Sequence, residues 1–318
     1  TTILGTTKVG QVHFKWYGEN QTIKHNYYKI ESFLINNASP IIQNMEKRGG
    51  GITRTELLDF TAQEPGLYQI RVHFETCDSM GANFINSVLE NFADSLERFF
   101  VDSPDIPDEN RDLDIIMSIL SNYTPECVVR AEVFCPVSVL GTFANGMLAE
   151  QLAEKFKTAV KIAHLDPYRA TTHNKGIFNG IDAVILATGN DFRATEAAGH
   201  TYASRDGQYR SLSYCEVKDG LFRFWLDVPL AIGTVGGLTS LHPLAKKSLQ
   251  ILGNPSAEQL MRIIASVGLA QNFAAVRSLV TTGIQQGHMK MHMMNILNHL
   301  NASEDECVKV IADFEDKT

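Results

Sequence analysis

The sequence predicts an α+β fold: a small ferredoxin-like βαββαβ domain, a larger and mainly helical α+β domain, and a C-terminal helical flap. Apolar residues alternate over residues 12–16 and again over residues 68–74, which is typical of half-buried strands. Between residues 84 and 96 apolar residues recur at helical spacing. Strands that flank the helical patterns predict an antiparallel sheet with helices on one of its faces.

The first part of the chain supplies the other elements of the small domain. Residues 21–47 have a helical pattern, which Pro40 is expected to kink or divide. Residues 55–60 and 113–119 are predicted as the two remaining strands. These patterns place the small domain at residues 1–121.

The rest of the chain mixes helical and strand patterns. We assign residues 122–285 to the large domain and residues 286–318 to the flap. Helices are predicted at residues 148–164, 194–203 and 256–280, and strands at residues 128–139 and 221–228. Capping boxes are predicted at Ser256 with Gln259 and at Ser303 with Glu306.

Composition excludes several classes of protein. Hydrophobic residues make up 44% of the chain and charged residues 20%, which is typical of a globular protein. The formal net charge of −8 argues against nucleic acid as the main partner. No apolar run approaches the roughly 20 residues that a membrane helix needs, so no membrane partner is expected. Five cysteines without a CxxC pair favour reduced thiols in a cytoplasmic protein.

Residues 166–193 concentrate charge, amides and glycine in a way that the rest of the chain does not. Within them, residues 181–187 form a mostly apolar segment that is expected to be buried. Burial would draw Lys175 and Asp191 inward from its two ends, and the simplest result is an ion pair between them. For a lone lysine and aspartate, a structural ion pair is the simpler interpretation. The neighbouring asparagines, Asn174, Asn179 and Asn190, favour a ligand site instead.

Five motifs resemble a known family in sequence and in order. The first is DPYRATTHNKGIFNGID followed by ATGNDFRATEAA. The others are Asp78-Ser79-Met80-Gly81-Ala82-Asn83, Gly233-Thr234-Val235-Gly236-Gly237, Gly268-Leu269-Ala270-Gln271-Asn272 and Gly287-His288-Met289. Together they resemble hydroxymethylglutaryl-CoA reductase, specifically its bacterial and archaeal second class.

The resemblance implies a reaction and a set of site residues. Hydroxymethylglutaryl-CoA and mevalonate plus CoA would be interconverted through two hydride transfers with a nicotinamide cofactor. Lys175, held by Asp191, would stabilise the developing oxyanion, and His288 would protonate the departing CoA thiolate. Arg169 would bind the free carboxylate of the substrate. Further polar contacts to the substrate are expected from Thr172, Asn179, Gln271 and Asn272.

The resemblance also places a cofactor site at a strand-to-helix junction. Asp78, Met80, Gly81, Ala82 and Asn83 would contact NADPH or NADH, although by composition alone the segment is a plain turn. Family members that use NAD hold the adenosine ribose with an acidic residue late in the preceding helix. The chain has Ser39 or Pro40 near that place, with Lys47 and Arg48 following, which favours NADPH.

The same resemblance predicts the oligomeric state. Active sites of the family form between subunits, so a homodimer or larger assembly is expected.

His288 and His292 have a spacing that suits a metal, but no third ligand is evident and no metal is expected.

One family feature is missing from the sequence. The family's catalytic glutamate lies in an N-terminal Glu-Pro-Ser type motif, which the sequence does not contain. We therefore expect a chain that lacks this segment, ahead of a version that cannot complete catalysis. A non-catalytic CoA- or nucleotide-binding relative is the alternative. The direction of the reaction, mevalonate synthesis or breakdown, stays open.

Overall fold

The computed structural model describes residues 1–141, 146–281, 283 and 293–317. The strands are β1 (Thr2–Ile3), β2 (Lys8–Lys15), β3 (Gly51–Asp59), β4 (Leu67–Glu75), β5 (Asp114–Ser121), β6 (Val128–Pro136), β7 (Ser213–Lys218) and β8 (Leu221–Pro229). The helices are α1 (Asn20–Glu46), α2 (Ala82–Asp102), α3 (Ala149–Leu165), α4 (Pro167–Ala187), α5 (Phe192–Ala203), α6 (Gly237–Leu241), α7 (Pro243–Ile251), α8 (Ala257–Val280), α9 (residues 293–299) and α10 (Glu304–Lys317).

The βαββαβ prediction for the small domain is confirmed. Strands β2, β3, β4 and β5 form one antiparallel sheet in the order β3-β4-β2-β5, with α1 after β2 and α2 after β4. The alternating apolar residues that predicted β2 and β4, among them Phe14 and Phe74, are buried. They pack with α1 and α2 in one core cluster.

Helix α1 is continuous through Pro40, so of the two predicted effects, a kink or a division, the division is wrong. Leu34, Ala38 and Ile42 lie at helical spacing on both sides of Pro40, and all three are buried in the core. Proline removes one backbone donor from the helix. We attribute the continuity to burial of this apolar stripe, which outweighs the loss of that single hydrogen bond.

The second sheet has the strand order β1-β6-β8-β7. Strands β7 and β8 form a hairpin whose turn, Asp219-Gly220, has positive φ at both residues, as a tight two-residue turn requires. Phe156 of α3 packs on Phe222 and Phe224 of the hairpin at ring-centroid distances of 5.3 and 5.0 Å.

Contacts divide the chain into two compact units, each built from three segments. The first unit comprises Thr1–Ala131, Ile181–Gln208 and Asp227–Val267. The second comprises Glu132–Gly180, Tyr209–Leu226 and Gly268–Thr318. The domain boundaries predicted above are contiguous ranges, whereas helices α4 and α8 each run from one unit into the other. A continuous helix leaves no composition shift in the sequence to mark such a boundary.

Helix α8 bears on the expectation that no apolar run is long enough to cross a membrane. It is long and apolar enough to cross a membrane by length and composition, with a mean hydropathy of 1.4 over its best window, of which 33% is buried. The prediction that no such run exists is therefore wrong. One such helix is weak evidence for a membrane, because the core helix of a soluble protein passes the same test.

Candidate functional site

The first unit contains a pocket of about 620 Å³ at the N-terminus of α2. Met80, Gly81, Ala82 and Asn83, four of the five predicted cofactor residues, line it. No side chain in the described part of the chain caps α2, so the N–H groups of its first turn are available to a ligand. A helix N-terminus of this kind favours an anionic group such as a pyrophosphate.

Two glycines allow the backbone around this pocket to pack closely. Gly81 precedes α2 with a φ of 89°, and a Cβ there would meet Thr76 at 2.5 Å. Gly233 belongs to the second glycine-rich motif, and a Cβ there would meet the Met80 backbone nitrogen at 2.5 Å. The N–H of Gly233 donates to Asn190 Oδ1 at 2.9 Å. The motifs around Met80, Asn190 and Gly233 are thus joined in one wall of the pocket.

Asp78 has a structural role that the sequence did not reveal. Its carboxylate accepts a hydrogen bond from the N–H of Ala257 at 2.7 Å, at the start of α8. Its carbonyl accepts from the N–H of Thr234 at 2.9 Å. Unlike the four residues named above, Asp78 is not part of the pocket lining. It holds the pocket's two loops and α8 together.

The end of α1 closes the pocket on another side. Met45 and Arg48 line it, and Arg48 is exposed. The carbonyl of Arg48 accepts a hydrogen bond from the Cys77 thiol at 3.2 Å, which ties this helix end to the loop before α2. The predicted basic residue therefore lies at the pocket, whereas Ser39 and Pro40 are not among its lining residues.

The second unit presents a polar face on α4. Arg169, Thr172, Lys175 and Asn179 follow one another at intervals of three or four residues and so share one side of the helix. Thr172, Lys175 and Asn179 are exposed, and Arg169 is half-buried. Burial lowers the pKa of the Arg169 guanidinium, which nevertheless stays charged because an arginine pKa starts above 12. This face offers two cations and two polar side chains to a ligand.

The structure corrects the reasoning about residues 181–187. They form the last turns of α4, and only part of the segment is buried: Ala183, Leu186 and Ala187 are exposed. Lys175 is exposed, and Asp191 accepts hydrogen bonds from the N–H groups of Arg193 and Ala194 as the cap of α5. Neither group is buried, so burial does not require them to form an ion pair. Asp191 also lines the pocket of the first unit.

A buried chain of hydrogen bonds connects α4, β7 and α8 within the second unit. The Ser213 hydroxyl donates to Asn272 Oδ1 at 2.7 Å and lies 2.7 Å from His173 Nε2. Because this hydroxyl donates to Asn272, its oxygen accepts from His173 Nε2–H. His173, Ser213 and Asn272 are each at most 2% exposed. Asn272, predicted to contact substrate, is buried and accepts through its Oδ1, whereas the neighbouring Gln271 is exposed.

Asn174 makes a second connection between the same elements. Its Nδ2 donates to the carbonyl of Arg210 at 2.8 Å, and its Oδ1 accepts from the N–H of Leu212 at 3.0 Å. The asparagines of this region therefore divide by role. Asn174 holds the backbone before β7, Asn179 is exposed on α4, and Asn190 orders the pocket loop. Ser213 is the residue in this network that the sequence reasoning missed, because an isolated serine carries no signal.

His173 is neutral at physiological pH. Burial, together with the Arg169 guanidinium and His164, lowers its pKa to about 3. Its Nε2 carries the hydrogen and donates the hydrogen bond that the Ser213 hydroxyl oxygen accepts. The imidazole is therefore fixed in one tautomer and serves as a structural donor. Among the predicted catalytic residues, His288 lies outside the described residues.

Asp182 on α4 and Glu196 on α5, both in the first unit, are carboxyl groups close enough to affect each other's ionisation. Burial, together with the neighbouring Glu196 carboxyl, raises the pKa of Asp182 to about 7. An acid with a raised folded-state pKa keeps its proton where the unfolded chain has lost it. We therefore expect the free energy of unfolding to fall as pH rises from 3.8 to about 7, and then to level off.

Asp182→Asn tests this expectation by mimicking the protonated acid. The variant should flatten the pH dependence and be more stable than the wild type at pH 8, with little difference at pH 4. Urea unfolding across this pH range is the measurement, and exposed Asp206→Asn is the control. An unchanged pH profile in Asp182→Asn would contradict the assignment.

Comparison with known proteins identifies the family. Residues 3–293 match the family model for hydroxymethylglutaryl-coenzyme A reductase. The chain is 34% identical over 312 residues to the 3-hydroxy-3-methylglutaryl-coenzyme A reductase of Archaeoglobus fulgidus, covering 98% of this chain and 67% of that protein. A probable reductase of the same kind from Borreliella burgdorferi is 34% identical over 291 residues, covering 90% of this chain and 63% of its own length.

Solved structures agree with the sequence comparison. The reductase of Streptococcus pneumoniae superposes with a TM-score of 0.79 at 36% identity, covering 100% of this chain and 73% of that one. A class II reductase structure from the same organism, bound to NADPH in open conformations, superposes with a TM-score of 0.75 at 36% identity, covering 88% of this chain and 73% of that one. The chain spans about two-thirds of the length of the relatives it matches, 67% and 63%. It belongs to the hydroxymethylglutaryl-coenzyme A reductase family and is similar to the class II reductases of bacteria and archaea.

Proposed function

We propose that the protein is an NAD(P)H-dependent reductase that interconverts hydroxymethylglutaryl-CoA with mevalonate and CoA. The observation that carries the proposal is the pocket at the N-terminus of α2. It joins three of the five family motifs in one unit and presents unpaired N–H groups to an anion. Family membership supplies the substrate. A non-catalytic relative that binds CoA or a nucleotide is the second candidate.

The exposed face of α4 supports the chemistry that this reaction needs. Hydride addition to a thioester puts negative charge on its oxygen, and a cation such as Lys175 stabilises that charge. Arg169 is suited to the free carboxylate of the substrate because a guanidinium makes bidentate contacts. Thr172, Asn179 and Gln271 are polar and exposed, and we propose them as further substrate contacts. We retain Asn272 as a proposed substrate contact through its amide nitrogen, because the hydrogen bond from Ser213 occupies only its Oδ1.

Asp191 and His288 complete the proposed catalytic set. Asp191 lines the pocket of the first unit, close to the first turn of α2, where a bound dinucleotide would lie. His288 would protonate the departing thiolate, since its ordinary pKa of about 6.5 lies below that of a thiol, about 8.5. We further propose a homodimer or larger assembly in the cytoplasm. All five cysteines are free, which is consistent with a reducing compartment.

A direct test of the reaction combines product analysis with cofactor oxidation. The complete polypeptide, hydroxymethylglutaryl-CoA and NADPH should yield mevalonate and free CoA, with two NADPH oxidised for each mevalonate formed. A protein that binds CoA esters and NADPH with ordinary affinity but oxidises no cofactor would establish the second candidate, the binding relative.

Cofactor preference should depend on Arg48. We propose that its guanidinium, exposed at the pocket, contacts the 2′-phosphate of NADPH. Arg48→Gln should weaken NADPH binding by about 10-fold to 100-fold, the cost of one charge-assisted contact, and leave NADH binding almost unchanged. Fluorescence titration of both cofactors is the measurement. Lys47→Gln, one residue away and outside the pocket lining, is the matched control. Equal loss of both cofactors in Arg48→Gln would contradict the 2′-phosphate contact.

A further inference from the structure

The buried hydrogen-bond chain of the second unit ends in an unpaired donor. The Ser213 hydroxyl donates to Asn272 Oδ1 at 2.7 Å, and within the described residues the amide nitrogen of Asn272, Nδ2, makes no hydrogen bond. Nδ2 is not fully enclosed either, so the 1% of Asn272 that stays accessible includes this nitrogen. An amide nitrogen carries two donors, and buried amides are seldom left without a partner. An oxygen that enters from outside the protein can therefore pair with Nδ2.

The histidine at the other end fixes the direction of the chain. His173 Nε2 lies 2.7 Å from the Ser213 hydroxyl, and His173 Nδ1 is buried without a partner among the residues that the structure describes. In the reverse direction, Asn272 would donate to Ser213 and Ser213 to His173, which would put the imidazole proton on Nδ1 as an unpaired buried donor. Unpaired buried N–H donors are rarer than unpaired acceptors. The chain therefore runs from His173 to Asn272, and the amide offers its nitrogen.

Ser213 is itself held in place. It is fully buried, and its N–H donates to Ser211 Oγ at 3.0 Å. Ser211 Oγ donates in turn to the Ser213 carbonyl at 2.8 Å. The two hydroxyl oxygens are 3.3 Å apart, which is longer than the 2.7 Å from Ser213 Oγ to Asn272 Oδ1. The single hydroxyl hydrogen of Ser213 therefore goes to Asn272.

The chain lies beside the polar face of α4. Arg169 precedes His173 by four residues and so shares its side of the helix. Besides burial, the charge of Arg169 lowers the pKa of His173, which places the two groups near each other. Asn272 is joined to His173 through one hydroxyl, over two contacts of 2.7 Å. Its free nitrogen is therefore within two hydrogen bonds of the helix that we propose to bind the substrate.

We propose that Ser213 is a positioning residue for the substrate. Held by His173, its hydroxyl fixes the Asn272 amide so that Nδ2 donates to an oxygen of the bound CoA ester. This inference rests on the proposed reductase function, which supplies the substrate, and it adds a residue that does not itself touch the substrate. Without the Ser213 hydroxyl, the amide can turn over and present Oδ1, an acceptor that faces another acceptor.

Steady-state kinetics of the complete polypeptide with hydroxymethylglutaryl-CoA and NADPH test the orientation of the amide. Asn272→Leu should raise KM for the CoA ester by about 10-fold, the contribution of one hydrogen bond, with kcat nearly unchanged. Asn272→Asp has the same shape, keeps an acceptor for Ser213 and replaces Nδ2 with a second acceptor. At pH 8 it should therefore raise KM further than Asn272→Leu does. A smaller rise in Asn272→Asp than in Asn272→Leu would mean that Asn272 offers oxygen to the substrate, and would overturn the proposal.

A double-mutant cycle on KM tests whether Ser213 acts through Asn272. Ser213→Ala should raise KM per folded molecule by about 3-fold to 10-fold in the wild-type background and have no further effect in the Asn272→Leu background. A residue that only stabilises the fold would reduce the amount of folded protein and leave KM unchanged in both. Ser213→Cys, which keeps a weak donor at similar size, should restore part of the affinity and gives the same measurement if Ser213→Ala does not fold. Ser266→Ala, an exposed serine of α8, should leave KM unchanged.

Two results would overturn the positioning role of Ser213. One is a wild-type KM in both Ser213 variants, and the other is an undiminished effect of Ser213→Ala in the Asn272→Leu background. A wild type that binds hydroxymethylglutaryl-CoA without oxidising NADPH would refute the reductase but not this inference, because calorimetric dissociation constants then replace KM in the same cycle. A wild type that does not bind the CoA ester would overturn both.

Discussion

Replacing Lys175 with alanine should reduce turnover by at least about 10² to 10³-fold, the typical cost of removing one electrostatic donor to a developing oxyanion. A full charge contributes more than a neutral donor, so the loss can exceed this range. Binding of the CoA ester should survive, because the thioester oxygen carries little charge in the ground state and Arg169 remains. The split between a large fall in kcat and a small change in KM is the expected result.

The exposure of Lys175 separates an effect on catalysis from an effect on stability. Lys175 is exposed on α4, so its removal leaves no buried carboxylate unpaired. The free energy of unfolding should change by no more than about 0.5 kcal/mol, as is usual for surface substitutions. Lys155→Ala is the matched control, because Lys155 is also exposed within a helix of the same unit. A Lys175→Ala variant that keeps wild-type turnover per folded molecule would refute the oxyanion assignment.

Periodicity in the sequence was enough to predict the small domain. The alternation in β2 and β4 and the helical spacing in α2 each arise from one buried face, so pattern and structure have the same cause. Both predicted capping boxes are also confirmed, because the motif itself specifies their hydrogen bonds. Ser256 with Gln259 and Ser303 with Glu306 exchange the side-chain to backbone hydrogen bonds that the short motif specifies.

Residues 166–193 show where pattern failed. Three glycines and several amides suggested turns around a short buried segment, yet residues 167–187 form one helix. Glycine lowers helix stability by only about 1 kcal/mol, and buried Ile177, Ile181 and Ile185 at intervals of four residues offset that cost. Composition was informative about chemistry here, but the spacing of the apolar residues decided the secondary structure.

Asn272 shows why site residues are harder to predict than elements. The reasoning that an amide in an apolar helix needs a partner was correct, because Asn272 is buried and hydrogen-bonded. The partner is Ser213, 59 positions away in the chain, and nothing in the sequence distinguishes such a contact from one with a ligand. Lys8 is a similar case. At the start of an apolar strand its burial could not be anticipated, since lysines at strand ends are usually exposed.

Ser213→Ala should cost about 2–5 kcal/mol of folding free energy, the second large effect that the structure predicts. The hydroxyl is the centre of the buried chain from His173 to Asn272, and alanine leaves both of those side chains with an unpaired polar atom. Each unsatisfied buried group costs roughly 1–3 kcal/mol. Urea unfolding measures the loss, and Ser266→Ala, an exposed serine of α8, is the control, expected within about 0.5 kcal/mol of wild type.

The partner residues allow the loss to be assigned to the hydrogen-bond chain rather than to the missing hydroxyl alone. In the double variant Ser213→Ala with Asn272→Leu, the unpaired amide oxygen is removed as well. The double variant should lose less free energy of unfolding than the two single variants together, by about 1 kcal/mol or more, as expected for residues that share one network. Because the two residues connect β7 with α8, strict additivity in this cycle would show that Ser213 and Asn272 act independently and would contradict the network.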